Sequence, residues 1–277
     1  MSSRSIPLAG VIGAPIAHSR SPRLHGHWLK RYGLDGYYIP MEVSSDDLEQ
    51  AISTLPKMGF VGINVTIPHK ERVISLADHV TDRAALMGAA NTLTFSEDGK
   101  VFADNTDGHG FLENLKQGAP NWRATSGPIA VFGAGGACRA VIAALINEGA
   151  TEIRLANRTK SRASNLRQEF GTKIEVYDWV EAGNMLDGAA TVVNTSSLGM
   201  EGKPEMRVPL DALSKKAVVT DLVYTPLETP LLAYAKKIGC RTVDGLGMLL
   251  HQAAPGFERW FGVRPEVDEE LRKAVLV

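Results

Sequence analysis

Gly127-Pro128-Ile129-Ala130-Val131-Phe132-Gly133-Ala134-Gly135-Gly136-Ala137-Cys138-Arg139-Ala140 is the stretch on which the fold turns. A short apolar run, Ile129 to Phe132, ends in clustered glycines, and Arg139 to Leu145 reads as a helix. Strand, glycine turn, helix is the order in which a nucleotide-binding βαβ unit begins. Gly133 allows a tight turn, and Gly135 lets the backbone approach a pyrophosphate. The helix N-terminus then offers that anion its free N–H groups and positive dipole end. Cys138 stands where a third glycine often sits, and is small enough for the helix to lie close on the strand. The competing reading is a glycine-rich helix start that merely packs.

The next strand, Thr151 to Ala156, selects the cofactor. A dinucleotide lacking a 2′-phosphate usually meets Asp or Glu at its end. Here the chain reads Asn157-Arg158-Thr159-Lys160, with Arg162 beyond. An acid would repel a phosphate, whereas Arg158 offers it a planar fork of donors. NADP rather than NAD is expected. The alternative makes Arg158 and Lys160 a solvated helix start.

A length of 277 residues suggests two domains, at about 150 residues each. Hydrophobic content of 44% and charged content of 22% suit a globular enzyme with two cores. Lys+Arg number 30 against Asp+Glu 31, a net charge of -1, so no field would hold nucleic acid or an anionic membrane. Cys138 and Cys240 are too few for a disulfide framework, no histidine grouping suggests a metal, and a reducing cytoplasm is expected. Met1 to Ser5 followed by apolar Ile6 to Ala17 superficially resembles a secretory leader, but Pro7, Gly10, Gly13 and Pro15 would break its helix. P-loop, HExxH and GxSxG motifs are absent.

Upstream of the glycine turn, strands are expected at Leu8 to Gly13, Tyr37 to Val43, Gly62 to Ile67, Ala90 to Phe95 and Val101 to Asp104. Helices are expected at Pro22 to Tyr32, Ser44 to Lys57 (capped by Ser45), Asp82 to Met87 and Gly110 to Lys116. Ser21-Pro22 reads as an N-cap followed by proline at the first helical position. Ser19 has no such local role, and two hydroxyls at a helix entrance suit a carboxylate. Lys70 falls just past a strand's carboxyl end, where open α/β sheets place ligands. Downstream, strands are expected at Ile174 to Tyr177, Thr191 to Asn194, Ala217 to Leu222 and Arg241 to Val243. Helices are expected at Lys160 to Phe170 and Thr229 to Ile238, and the stretch from Asp244 reads as a turn opening a long helix to about Trp260. The fold class is α/β.

An ordered set of motifs runs nearly the length of the chain: His18-Ser19-Arg20-Ser21-Pro22, Asn64-Val65-Thr66-Ile67-Pro68-His69-Lys70, Gly88-Ala89-Ala90-Asn91-Thr92 and Asn105-Thr106-Asp107-Gly108. Then come the glycine turn, Asn157-Arg158-Thr159, Tyr224-Thr225-Pro226, and Gly245-Leu246-Gly247-Met248 with Gln252. Each is weak alone, but together they resemble the shikimate dehydrogenase family. The resemblance implies NADPH-dependent reduction of 3-dehydroshikimate to shikimate, with Lys70 and Asp107 as the catalytic pair. It gives the substrate carboxylate to Ser19, Ser21 and Tyr224, and the ring hydroxyls to Thr66, Asn91 and Gln252. It gives the cofactor to Gly133, Ala134, Gly135, Gly136, Ala137, Asn157, Arg158, Thr159, Arg162, Thr195, Leu222, Gly245 and Met248. It also implies a substrate domain over residues 1–107, completed by 246–277, and a Rossmann-type NADP domain over 108–245, with a cleft between them that is expected to close. A monomer or homodimer would suffice. Ala103-Asp104 and Cys138 depart from the usual pattern, away from the chemistry.

The chemistry asks for the same groups. A hydride delivered to a ketone leaves negative charge on oxygen, and a Lys70 ammonium oriented by Asp107 can supply the proton. Two rivals remain: a quinate/shikimate dehydrogenase using NAD or both cofactors, and a non-catalytic NADPH-binding sensor. Arg158 argues against the first, and the hydroxyl set with Lys70 and Asp107 argues against the second.

Overall fold

In the computed structural model residues 6–276 are described, so the Met1–Ser5 part of the leader-like stretch lies outside the described residues. The chain forms two compact units. The first runs to Thr106 and takes in the chain again from Leu250; the second is Asp107–Leu249.

The first unit contains β1 (Leu8–Gly13), α1 (Ser21–Tyr32), β2 (Tyr37–Glu42), α2 (Leu48–Thr54), β3 (Phe60–Val65), β4 (His79–Val80), α3 (Asp82–Met87), β5 (Thr92–Phe95) and β6 (Val101–Asp104). Its sheet has the order β2-β1-β3-β5-β6-β4, with β1 parallel to both neighbours and β5 antiparallel to both of its own. From β1 the chain goes to β2 on one side and then to β3 on the other. The carboxyl ends of β1 and β3 therefore flank a switch point, where open α/β sheets bind ligands.

The second unit contains α4 (Asp107–Gly118), β7 (Ile129–Phe132), α5 (Gly136–Asn147), β8 (Ile153–Ala156), α6 (Lys160–Phe170), β9 (Ile174–Tyr177), β10 (Thr191–Asn194), β11 (Val218–Asp221), α7 (Pro230–Ile238) and β12 (Arg241–Val243). All its strands are parallel, in the order β12-β11-β10-β7-β8-β9, so this sheet reverses between β7 and β10. Both faces are covered. Val131, Val141, Leu145 and Leu155 pack on one, and Phe132, Met185, Val192 and Leu232 on the other. That double burial is why β7, inside the sheet, reads as an unbroken apolar run.

α8 (Leu246–Phe261) begins in the second unit and ends in the first, where α9 (Glu269–Leu276) packs against α1. The C-terminal half of α8 supplies aromatic anchors. The Trp260 indole donates to the Leu93 carbonyl at 3.1 Å, and Phe257 meets Trp28 edge-on at 5.1 Å. His25 is fully buried there, stacked on Tyr38 at 3.8 Å, and burial lowers its pKa to about 3, so it is a neutral packing group.

Several local expectations are corrected. α1 starts at Ser21, so Arg20 rather than Ser21 is the cap residue; the Ser19 hydroxyl accepts from the Ser21 N–H at 3.3 Å, and Ser19 thus has the local role denied it above. Ser44, not Ser45, turns the chain ahead of α2 by accepting from the Asp47 N–H at 3.2 Å. α2 stops at Thr54 and a 3-10 turn, Leu55–Met58, follows, because Pro56 cannot continue the helical ladder. α4 begins three residues earlier than expected, at Asp107, and α5 at Gly136. β4 and the 3-10 helix Trp179–Leu186 were not expected at all.

Candidate active site

At the second sheet's switch point, Gly133 ends β7 with φ at +103°, a conformation few side chains tolerate. A Cβ there would also lie 2.8 Å from Thr195 Oγ1, at the end of β10. Thr195 in turn donates its N–H and its hydroxyl to the Phe132 carbonyl, each at 2.8 Å. Around Gly135 and Gly136, by contrast, an added Cβ meets nothing within 4 Å. The one glycine lets two strand ends meet, and the other two, with exposed Ala137, leave backbone open to an incoming anion at the start of α5. Cys138 faces inward, fully buried, its thiol pushed up by burial to about 12. It therefore packs α5 onto the sheet.

Asn157, at the end of β8, accepts from the Ala134 N–H at 3.1 Å and donates to the Thr159 carbonyl at 2.8 Å. It braces the glycine turn against the loop that carries Arg158. Arg158, Thr159 and Arg162 are exposed at the start of α6. Lys160 is paired with Asp178 at 2.7 Å, while Arg158 is exposed. Gly245 packs on the Asp221–Leu222 backbone, Met248 is half-buried against the core, and Tyr224 lies half-buried in the loop after β11. These residues fit a dinucleotide carrying an extra phosphate: open backbone for the bridge, an exposed guanidinium for the ribose phosphate.

In the first unit, Ser19 follows β1, and Thr66 and Lys70 follow β3. β5 runs antiparallel to β3, which brings Asn91 to the same end of the sheet, and β6 returns so that Asn105 and Thr106 arrive there too. The join is tight: the Val65 N–H donates to the Asn91 carbonyl at 2.9 Å, and the Ala90 N–H to the Lys70 carbonyl at 2.8 Å. Asn91 Nδ2 donates to Gln252 Oε1 at 3.0 Å, although the two are 161 positions apart. Ser21 is buried and Lys70 half-buried. Asp107 is the first residue of the second unit, at the start of α4.

Two positioning residues escaped the sequence reading. Asn64, inside β3, accepts from the Tyr38 hydroxyl at 2.7 Å and donates to the Asn91 carbonyl at 3.0 Å. Thr106 donates its hydroxyl to the Gln252 carbonyl at 2.8 Å and its N–H to Asn91 Oδ1 at 2.9 Å. The available signal was an amide in an otherwise apolar strand, which has to find buried partners.

Comparison with known proteins bears on this arrangement. Residues 11–93 match the shikimate dehydrogenase substrate binding domain, residues 117–202 the shikimate / quinate 5-dehydrogenase family, and residues 245–276 the shikimate 5′-dehydrogenase C-terminal domain. A curated shikimate dehydrogenase (NADP(+)) of Cereibacter sphaeroides is 72% identical over 271 residues, covering 98% of this chain and 97% of the relative. The chain belongs to the shikimate dehydrogenase family. The Ruegeria sp. member, also named shikimate dehydrogenase (NADP(+)), is 64% identical over the whole length of both chains. The Thermus thermophilus shikimate 5-dehydrogenase, solved with NADP(H) and shikimate, has a TM-score of 0.86 at 34% identity, over 98% of this chain and 99% of that one. A quinate dehydrogenase of Corynebacterium glutamicum, solved with NAD, reaches 0.90 at 31% identity, over 97% and 98%. The family's fold thus serves both polyols and both cofactors. Among the described residues no helix is long and apolar enough to cross a membrane.

Proposed function

We propose that this chain is an NADP-dependent shikimate dehydrogenase, an oxidoreductase interconverting 3-dehydroshikimate and shikimate. The observation that carries the reading is the gathering of hydroxyl, amide and amine groups at the first sheet's switch point, in a chain whose second sheet offers Arg158 beside an open glycine turn. The first unit serves as the substrate unit and the second as the cofactor unit. Reduced nicotinamide, when bound, supplies the hydride. Lys70 donates the proton that the reduced carbonyl oxygen needs, and Asp107 orients that ammonium and holds a ring hydroxyl. Ser19, Ser21 and Tyr224 hold the carboxylate, and Thr66, Asn91 and Gln252 the ring hydroxyls. The enzyme works in the cytoplasm as a monomer or homodimer.

One assay tests the reading: nicotinamide absorbance followed with shikimate or quinate, each with NADP or NAD. Turnover of shikimate with NADP, exceeding every other pairing, is expected. Faster quinate oxidation with NAD would favour the rival dehydrogenase, and no turnover at all the sensor. Lys70→Ala should lower kcat by about 10³-fold or more while shikimate affinity is largely kept. Loss of affinity alone would remove Lys70 from the chemistry.

A further inference from the structure

Asp221 closes β11 with a carboxylate that is 1% exposed, and three donors on the chain face it. Oδ1 accepts from Asn194 Nδ2 at 2.9 Å and from the Val223 N–H at 3.0 Å, and Oδ2 accepts from the Thr229 hydroxyl at 2.8 Å. All three donors are neutral, and burial raises the carboxyl's pKa against their pull. Such a group is costly to bury, and a fold that only needed filling could place an apolar residue there.

What the carboxylate holds are the loops at the carboxyl ends of β10 and β11. Asn194, fully buried at the end of β10, also donates to the Leu198 carbonyl at 3.1 Å. Its Oδ1 accepts from the Ser196 N–H and hydroxyl, at 3.0 and 2.7 Å. Val223 precedes Tyr224, and Thr229 caps α7 through the Leu232 N–H. The two loops are joined directly as well, by the Glu201 N–H donating to the Thr225 carbonyl at 2.9 Å. Both emerge at the end of the sheet where the glycine turn sits.

From this network we infer that Asp221 is a positioning residue of the dehydrogenase, one buried carboxylate that fixes the loop after β10 and the Tyr224 loop together. The inference rests on the function proposed above. It separates two parts of the second unit. Residues 133–139 and 157–162 make no bond to Asp221 and should keep the adenosine half of the cofactor when it is changed. The loops that carry Thr195 and Tyr224 should not keep their settings.

Asp221→Asn tests this, because an amide retains the acceptor for Asn194 and Val223 but loses the charge that draws Thr229. Wild-type turnover of shikimate with NADP, measured first, tests the proposed function alone. In the variant the KM for shikimate should rise and kcat fall, so that kcat/KM drops at least 30-fold. The Kd for 2′-phospho-ADP-ribose, which lacks the nicotinamide, should stay within twofold. A uniform weakening of both ligands, or a kcat/KM within threefold of wild type, would overturn the inference. If Asp221→Asn does not fold, Thr229→Val and Thr229→Ser answer the question. The valine should reproduce the split, and the serine, which restores the hydroxyl, should abolish it; equal values for the two would overturn the inference.

Discussion

Arg158 is exposed at the start of α6, braced from behind by Asn157. If its guanidinium reads the ribose phosphate, Arg158→Asp removes a charge-assisted pair and adds repulsion, about 3 kcal/mol together. The ratio of kcat/KM with NADP to that with NAD should then fall about 100-fold, and an unchanged ratio would show that Arg158 does not select the cofactor. Asp104 matters in another way. It is 2% exposed and accepts from Arg83, Arg259 and the Thr81 hydroxyl. Burial, the largest influence, pushes its carboxyl up, but the two guanidiniums outweigh it and hold the pKa well below the carboxylate range. A lowered folded-state pKa adds stability above the unfolded value, about 3.9, and that stability is lost as pH falls through the folded value. Asp104→Asn should cost about 3 kcal/mol at pH 7, at the low end for a buried pair because both arginines keep water contact. The gap to wild type in urea titrations should narrow below about pH 4, and a gap that stays constant would mean the ion pairs carry none of it. Chemistry of this kind was only partly legible in the sequence. Lys70 could be placed because a strand end is visible in the residues, whereas the partners of Asn64 and Asp104 depend on which strands become neighbours.

At the scale of elements the sequence was most informative where one period dominated. β7 is buried at every position, and a continuous apolar run from Ile129 to Phe132 announced it. The two-residue β4 is too short to show a period, and Trp179–Leu186 winds as a 3-10 helix whose Val180 is exposed. Cap positions also slipped, since Ser19, Ser21, Ser44 and Ser45 all carry the same hydroxyl and only backbone geometry distinguishes them. One element contact was wholly silent: Gly62, in the middle of β3, lies under the Trp260 indole of α8 and beside the Leu93 carbonyl. A methyl group there collides with both and breaks the 3.1 Å bond between them. Gly62→Ala should destabilise the protein by about 3 kcal/mol by overpacking and a lost buried hydrogen bond. A change below about 0.5 kcal/mol in denaturant midpoint analysis would mean that α8 shifts freely.

The two units differ in how the chain builds them. The second is continuous, Asp107 to Leu249, whereas the first needs the chain from Leu250 onward. That late stretch brings Trp260 to Leu93, Arg259 to Asp104, Gln252 to Asn91 and the Glu266 carbonyl to the Trp28 indole. A chain ended at Leu249 should therefore retain amide protection across β7 to β12 and lose it across β1 to β6 in hydrogen-exchange mass spectrometry. Protection in both regions would show that the late helices only decorate the first unit. During synthesis the consequence is an inversion of order. The part of the first unit made before Thr106 must wait for the stretch after Leu250, holding Trp28 and the floor of β3 uncovered while the second unit is already complete. A chaperone that recognises apolar surface would find its target in the unit synthesised ahead of the one already folded.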